Sequence, residues 1–187
     1  MNIALFASGK GTNVENILYY FKNSKSVNIA FIGTNNPKSG AILHAKNYQK
    51  PCFIFQKEDL TKTSKIINKL NQENIDLLVL AGFLLKLPSD LIRNFKGKII
   101  NIHPSLLPKY GGKGMYGDHI HKKVLKNKEK HTGITFHYVN ENYDEGKIIS
   151  QHSFLISSSE TLSTLKEKIS QLELLNYPTI ISSFKNE

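Results

Sequence analysis

Short apolar runs alternate with segments of helical period through the first two-thirds of this chain, and this alternation constrains the fold more than any other feature. The apolar runs predict β-strands, and the segments between them predict amphipathic helices. The predicted strands cover about 2–7, 27–33, 52–55, 75–81 and 98–102, and the predicted helices cover about 13–23, 39–49, 62–73 and 88–95. Strands and helices in this order predict a parallel sheet with helices on both faces.

Beyond Pro108 the pattern changes. A glycine-rich stretch precedes a predicted helix near 117–127, and two further strands are predicted near 131–139 and 147–156. A long helix then begins near Ser159 and is predicted to break near Pro178, because proline lacks the N–H that a helix interior needs. The sequence therefore predicts an α/β fold, with one Rossmann-like domain over 1–187. Its central sheet is expected to be mostly parallel, with C-terminal strands that are partly antiparallel.

Length and composition exclude a membrane-spanning helix but leave the class of ligand open. A length of 187 residues suits one domain, and no apolar run approaches the roughly 20 residues that span a membrane. The net charge of +10 is compatible with nucleic acid, an anionic membrane surface or small anionic substrates. The lysines are scattered, and the one cluster, at 122–130, is explained as well by a solvated helix end. Cys52 is the only cysteine, which predicts a reducing, cytoplasmic compartment.

The loop after the first strand, Ser8–Asn13, has the composition of an anion site. Gly9 and Gly11 let the backbone approach a ligand, and the following helix offers free N–H groups at its N-terminus. A dinucleotide loop would have a third glycine where Val14 stands and an acidic residue after the second strand, and this chain has neither. The loop therefore favours a monophosphate, although a glycine-rich turn capped by Thr12 is also common in purely structural roles.

A second segment carries an amide and an imidazole at the end of a predicted strand. Asn101 and His103 are two residues apart, so their side chains point to the same face of the sheet. Pro104 holds His103 in an extended backbone, and Pro108 stiffens the loop beyond. This pair suits a tetrahedral acyl-transfer intermediate, because the amide can hold an oxyanion while the histidine moves a proton.

Other ionisable residues are interpreted more cautiously. The acidic loop 140–146 has the composition of a solvated hairpin turn, and Asp144 becomes a functional candidate only if it reaches His103. His137, inside the predicted strand 131–139, is interpreted as packed in the sheet rather than catalytic.

Three unusual turns are predicted at one edge of the sheet. The loop 8–13, the turn 81–83 and the turn at His103–Pro104 all follow the carboxyl ends of predicted parallel strands. Open α/β sheets bind their ligands at this edge. The sequence therefore predicts a small-molecule site there.

These motifs, in this order, closely resemble the glycinamide ribonucleotide formyltransferase family, and the likeness spans nearly the whole chain. The resemblance implies transfer of the formyl group of 10-formyltetrahydrofolate, as co-substrate, to the amine of 5′-phosphoribosylglycinamide in purine biosynthesis. It implies that no metal is required. It implies that Asn101, His103 and Asp144 are the catalytic residues. It also divides the domain into a nucleotide- or phosphate-binding half, 1–100, and a catalytic and folate-binding half, 101–187.

The same resemblance assigns the binding residues. The substrate-binding residues that it implies are Gly11, Thr12 and Asn13 at the phosphate, Gly82 and Pro104 through the backbone, and Glu173 at the ribose. The folate-binding residues that it implies are Leu84, Leu85, Lys86, Leu87 and Asn101. Two departures stand out: Leu85 replaces the arginine that many members carry, and the glycine-rich stretch 111–117 is longer than in the family pattern.

Three rival readings remain. A formyltetrahydrofolate hydrolase shares the catalytic trio, but its family carries an additional N-terminal regulatory domain, and here the motifs start at Met1. A methionyl-tRNA formyltransferase carries a long C-terminal tRNA-binding domain, and this chain stops at Glu187. A basic nucleic-acid-binding α/β module rests only on charge and gives Asn101 and His103 no role. We expect small-molecule substrates as the only partners, with no nucleic acid and no membrane, and a monomer or weak homodimer.

Overall fold

The computed structural model describes residues 1–62 and 64–186. Over these residues the strands are β1 (Asn2–Phe6), β2 (Asn28–Thr34), β3 (Cys52–Ile54), β4 (Leu77–Leu80), β5 (Lys98–His103), β6 (His131–Tyr138) and β7 (Ile148–Leu155). The α-helices are α1 (Thr12–Phe21), α2 (Gly40–Asn47), α3 (Lys57–Thr61), α4 (Ser64–Gln72), α5 (Ser89–Asn94), α6 (Asp118–Lys126) and α7 (Leu162–Ser183), and a short 3₁₀ turn covers Phe184–Asn186. Within the described ranges, no helix is long and apolar enough to cross a membrane.

The strands follow the order β3-β2-β1-β4-β5-β6-β7 in one sheet. β1 pairs in parallel with β2 and β4, and β2 pairs in parallel with β3. β6 and β7 pair antiparallel. The chain forms two compact units, one made of 1–100 with 177–187 and the other of 101–176. The predicted α/β class, with a mostly parallel sheet and antiparallel strands at the C-terminal end, is confirmed.

The first unit is built around β1, whose residues 3–6 are fully buried. α1 buries Val14, Ile17, Leu18 and Phe21, the three- and four-residue spacing that the sequence pattern predicted. Phe6 packs against the rings of Phe31, Phe55 and Phe83. These contacts fix the carboxyl end of β1, from which the glycine-rich loop leaves.

The second unit centres on the antiparallel β6–β7 pair. β6 is buried from Thr132 to His137, whereas β7 alternates between half-buried and exposed positions. Ile120 and Val124 of α6 pack with Leu165 of α7 in a small separate core. The buried run of β6 therefore supports the polar side chains at its carboxyl end.

Most predicted elements agree with the structure to within two residues, and two predictions need comment. α7 continues through Pro178 instead of breaking there, because buried Tyr177 before the proline and buried Ile181 after it anchor the helix on both sides. The Tyr177 hydroxyl donates to the Leu80 carbonyl at 2.9 Å. The helix predicted at 62–73 is observed as α4 from Ser64, and its residue 63 lies outside the described residues. α3, which precedes α4, was not predicted.

Candidate functional site

His103 ends β5 as a buried side chain with both ring nitrogens facing acceptors. Its Nε2 lies 2.8 Å from the Tyr110 carbonyl oxygen, and its Nδ1 lies 3.5 Å from Asp144 Oδ2. A carbonyl oxygen can only accept, so Nε2 must carry the hydrogen in this arrangement. A proton on Nδ1 would be attracted to the neighbouring carboxylate. The imidazole is thus held by a neutral acceptor on one side and an anion on the other.

Asp144 is brought to His103 by an unusual backbone. Its φ of 57° lies in the left-handed region, which aspartate tolerates better than most residues do. Asp144 Oδ2 also accepts a hydrogen bond from the Gly112 N–H at 2.9 Å. The carboxylate therefore ties the glycine-rich stretch 111–117 to the hairpin loop. The proximity that sequence reasoning required of Asp144 is present.

Asn101 forms the other polar contact of this cluster, with His137. Asn101 Nδ2 lies 3.2 Å from His137 Nε2, and His137 Nδ1 lies 2.8 Å from the Tyr138 carbonyl oxygen. Because the carbonyl fixes the hydrogen on Nδ1, the neutral ring accepts from Asn101 at Nε2. Burial lowers the pKa of His137, against the opposing effects of the Tyr138 hydrogen bond and the Asp144 charge, and so favours this neutral form. Asp144 Oδ1 lies 3.8 Å from His137 Nε2.

The loop that follows His103 is held by a buried hydroxyl. Thr135 Oγ1, on β6, donates to the Ser105 carbonyl at 2.7 Å and accepts from the Leu107 N–H at 3.0 Å. Gln151 Nε2, on β7, donates to Thr135 Oγ1 and to the Leu107 carbonyl, both at 2.9 Å. The antiparallel pair therefore fixes the loop that presents the Tyr110 carbonyl to His103.

In the first unit the glycine-rich loop is tied to the start of α2. Gly11 precedes α1 with a φ of 79°, and Thr12 and Asn13 are the first residues of that helix. The Gly9 carbonyl accepts from Ser39 Oγ at 2.8 Å and from the Gly40 N–H at 3.0 Å. The backbone N–H groups at the start of α1 are thus set on a braced loop, as an anion site requires.

The turn after β4 contacts the same loop. The Ser8 N–H donates to the Gly82 carbonyl at 3.0 Å, and Ser8 Oγ accepts from the Leu84 N–H at 3.0 Å. Gly82 has a φ of 79° and open space where a Cβ would stand. The structure therefore joins two of the three unusual turns directly, both within the first unit.

The remaining predicted binding residues differ in exposure. Leu84 is 64% exposed and Lys86 is exposed, whereas Leu87 is only 2% exposed and belongs to the core. A role for Leu87 in folate binding therefore stays a prediction that rests on its backbone. The half-buried predicted residues are Leu85, Pro104 and Glu173. Glu173 lies on α7 in the second unit.

Two residues of the cluster escaped sequence reasoning. His137 is packed in the sheet, as interpreted, but it also orients Asn101. Its position one residue before the end of β6 was the available signal, since strand ends carry the functional residues in such folds. Tyr110 contributes a backbone carbonyl, which no side-chain pattern reveals.

Comparisons with known proteins identify the family of the chain. The formyl transferase family model matches residues 1–181. The chain is 34% identical to the phosphoribosylglycinamide formyltransferase of Bacillus subtilis, covering 95% of this chain and 91% of that protein. It is 32% identical to the chloroplastic phosphoribosylglycinamide formyltransferase of Arabidopsis thaliana, covering 99% of this chain but only 65% of that protein's length.

A solved structure gives the same result for the fold. The crystal structure of phosphoribosylglycinamide formyltransferase from Anaplasma phagocytophilum superposes with a TM-score of 0.90 at 31% identity. That alignment covers 100% of this chain and 87% of the other. The family resemblance read from the motifs is confirmed, and the chain belongs to the formyl transferase family.

Proposed function

We propose that this protein transfers the formyl group of 10-formyltetrahydrofolate to the amine of 5′-phosphoribosylglycinamide, giving formylglycinamide ribonucleotide and tetrahydrofolate. The observation that carries the proposal is the polar cluster of Asn101, His103 and Asp144 in the second unit. An oriented amide donor and a histidine paired with a carboxylate are the groups that an acyl transfer needs. The names of the relatives support the same reaction.

The chemistry begins when the neutral substrate amine attacks the formyl carbon. A carbon–nitrogen bond forms, and the formyl oxygen becomes an oxyanion. Asn101 donates one N–H to His137, and the described residues offer no partner for its second N–H. We assign that second N–H to the oxyanion, together with the Nε2–H of His103 once it turns from the Tyr110 carbonyl.

Collapse of the tetrahedral adduct completes the transfer. The attacking nitrogen loses a proton, the bond from the formyl carbon to folate N10 breaks, and N10 gains a proton. His103 carries this proton, while Asp144 stabilises the charged imidazole and keeps the ring oriented. No proton is gained or lost overall, and no step needs a metal.

The substrate-binding residues are assigned as the family resemblance implies. The braced loop with Gly11, Thr12 and Asn13 binds the phosphate through the N-terminus of α1. Glu173 binds the ribose, and Gly82 and Pro104 contribute backbone contacts. The segment from Leu84 to Leu87 packs against the folate through its backbone, so leucine at position 85 preserves this contact. We expect a cytoplasmic protein that is a monomer or weak homodimer.

The test is an activity assay with 10-formyltetrahydrofolate and three competing acceptors. We expect rapid formyl transfer to phosphoribosylglycinamide, slow hydrolysis by water and no transfer to methionyl-tRNA. Hydrolysis at the same rate with and without the ribonucleotide would replace the proposal by a formyltetrahydrofolate hydrolase. The dephosphorylated riboside serves as the matched control. Equal kcat/KM for riboside and ribonucleotide would remove the phosphate role of the Gly11 loop.

A further inference from the structure

A cavity of about 400 Å³ in the second unit has no part in the proposed transfer. Two short segments line it, one from Leu106 to Tyr110 and the other from Lys128 to Thr132. This volume is within the range of small-ligand pockets, about 300–1,000 Å³. Leu106 supplies apolar wall, and the charged lining consists of Lys109, Lys128, Glu129 and Lys130. The cavity therefore combines an apolar wall with a cationic rim.

The positive charge of this rim is not neutralised internally. Glu129 accepts from Lys109 Nζ at 3.1 and 3.2 Å and from the Tyr110 hydroxyl at 2.9 Å. The Tyr110 and Lys109 hydrogen bonds lower the pKa of Glu129, so its single negative charge is matched by Lys109. Lys128 and Lys130 form no ion pair with a carboxylate in the part of the chain that the structure describes. Two ammonium groups are thus available to an anionic ligand.

Two lining residues, Tyr110 and Lys128, adopt the left-handed backbone conformation, which glycine adopts more easily. Lys128 has a φ of 49° just beyond the end of α6, a position that usually carries glycine. Tyr110 has a φ of 59°, which is rare for a bulky residue. Such conformations concentrate at functional sites. A lysine where glycine is less strained indicates a use for its ammonium group at the cavity.

Tyr110 also connects the cavity to His103. Its hydroxyl donates to Glu129 Oε1 and accepts from Asn127 Nδ2 at 2.8 Å, while its backbone carbonyl accepts from His103 Nε2 at 2.8 Å. An anion that draws Lys109 away from Glu129 would change the charge facing the Tyr110 hydroxyl. Because the Tyr110 carbonyl accepts the hydrogen bond from His103 Nε2, a shift of Tyr110 changes the environment of the His103 imidazole.

We propose that this cavity is a second ligand site, which binds a small phosphorylated molecule and transmits its occupancy to His103 through Tyr110. Phosphate is favoured over carboxylate because lysine ammonium groups are compact point charges that suit phosphate, whereas planar carboxylates are matched best by arginine. The apolar wall at Leu106 favours a phosphorylated nucleoside over free phosphate, since it offers a surface to a base or ribose.

The binding test is an NMR titration with inorganic phosphate, with adenosine 5′-monophosphate and with adenosine. Saturable shifts are expected at the backbone amides of 128–132, with tighter binding of the nucleotide than of phosphate and none of adenosine. Lys128→Ala combined with Lys130→Ala should weaken this binding by about tenfold per lysine. Lys25→Ala combined with Lys46→Ala removes the same charge elsewhere and should leave it unchanged.

Shifts at 128–132 that grow linearly without saturation, or that respond equally to both double variants, would overturn the site. Binding at the Gly9–Asn13 loop is read separately from its own amides. The cavity needs no folate, so this test stands whether or not the proposed formyl transfer is correct.

The coupling to His103 has its own readout. Saturation of the cavity should move the imidazole resonances of His103 in the native protein and in the Lys25–Lys46 control, but not in the Lys128–Lys130 variant. Tyr110→Phe keeps the backbone carbonyl and loses the hydroxyl bond to Glu129, so it should bind the nucleotide without moving His103. His103 resonances that stay fixed while the native cavity fills would overturn the coupling.

Discussion

His137 Nε2 lies 3.2 Å from Asn101 Nδ2, and this one contact fixes the orientation of the Asn101 amide. The tautomer is set from the other side of the ring, where Nδ1 donates to the Tyr138 carbonyl at 2.8 Å. A buried, neutral histidine therefore determines which way a neighbouring asparagine presents its N–H groups. In the proposed transfer it is a positioning residue, because it acts on the substrate only through Asn101.

Replacing His137 by phenylalanine should impair the transfer while leaving substrate binding in place. The ring volume is retained, but the acceptor that orients Asn101 is lost, and the amide can then rotate. A misplaced catalytic group can cost about 100-fold. We expect kcat to fall by 10- to 100-fold in steady-state assays, with KM for the ribonucleotide nearly unchanged. His137→Gln, which restores an acceptor, should recover part of the rate.

His152→Phe is the matched control, since this half-buried histidine lies on the neighbouring strand β7, where its ring contacts Phe136 and its Nε2 lies 3.4 Å from Ser150 Oγ. Its kcat should stay within about twofold of the native value. An equal loss of kcat in both variants would mean that His137 acts through the stability of the sheet.

The sequence predicted the side chains of this site that lie close together along the chain, but not the groups that only the folded loops bring to it. Asn101 and His103 were predictable because they lie two apart on a strand and next to a proline, so local geometry alone makes them neighbours. Asp144 was predictable only by family resemblance, because its approach to His103 depends on a left-handed turn in a loop that looks solvated. The contact of the Tyr110 carbonyl with His103 was not predictable, since every residue has a carbonyl and only the folded loop brings this one to the imidazole.

The fold shows the same division. Strand and helix periods were sufficient for the buried elements, such as β1 and α1, where a single face must be apolar. The continuation of α7 through Pro178 was not predictable, because a local penalty of about 3 kcal/mol is offset by burial of Tyr177 and Ile181. Tertiary packing decides such cases, and a single sequence does not reveal it.

Removing the imidazole of His103 should strongly lower kcat for formyl transfer and leave the affinity for the ribonucleotide nearly unchanged. His103→Ala loses an oxyanion donor, which typically costs about 2.7–4 kcal/mol, and the proton carrier as well. We expect kcat to drop at least 100-fold. Isothermal calorimetry should give a ribonucleotide affinity close to native, because the phosphate is assigned to the Gly11 loop. An affinity that collapses together with kcat would make His103 a structural or substrate-binding residue instead.

Asp144→Asn tests the carboxylate without disturbing its backbone. Asparagine tolerates the φ of 57° and retains an oxygen for the Gly112 N–H, so the fold should be preserved. The negative charge 3.5 Å from His103 Nδ1 is lost, and kcat should fall by 10- to 100-fold. Glu145→Gln is the control, because this side chain is exposed and accepts a hydrogen bond from Asn142 Nδ2 at 2.8 Å. Native kcat in Asp144→Asn would leave Asn101 and His103 as the only supported catalytic pair.

Two glycines of the phosphate loop should respond differently to alanine. At Gly11 a Cβ would lie 2.8 Å from the Ala41 nitrogen, and the φ of 79° adds strain of about 1–2 kcal/mol. At Gly9 nothing lies within 4 Å of the added Cβ. We expect Gly11→Ala to lower the free energy of unfolding, measured by urea denaturation, and to weaken ribonucleotide binding. Gly9→Ala should leave the free energy of unfolding within about 0.5 kcal/mol of the native value. Equal destabilisation of both variants would contradict the packing of this loop on α2.

His121 should make the protein less stable in acid. It is 5% exposed on α6, and its Nδ1 has no hydrogen-bond partner among the described residues. Burial lowers the pKa of His121 despite the attraction of Asp118, and Lys166 and His103 lower it further. Below pH about 6.5, the pKa of histidine in the unfolded chain, His121 therefore binds a proton in the unfolded chain but stays neutral in the folded chain. Stability that is fully present above this pH is lost as the pH falls towards the folded pKa.

His121→Leu removes this titration and the unpaired nitrogen while keeping a buried side chain of similar size. We expect the free energy of unfolding at pH 7 to rise by about 1 kcal/mol, since a buried polar group without a partner costs about 1–3 kcal/mol. The decrease of Tm between pH 7 and pH 5.5 should become shallower but not vanish, because burial also lowers the pKa of His137. His119→Leu, at an exposed position of the same helix, should leave the slope unchanged. A slope that stays native in His121→Leu would assign the acid sensitivity to His137 alone.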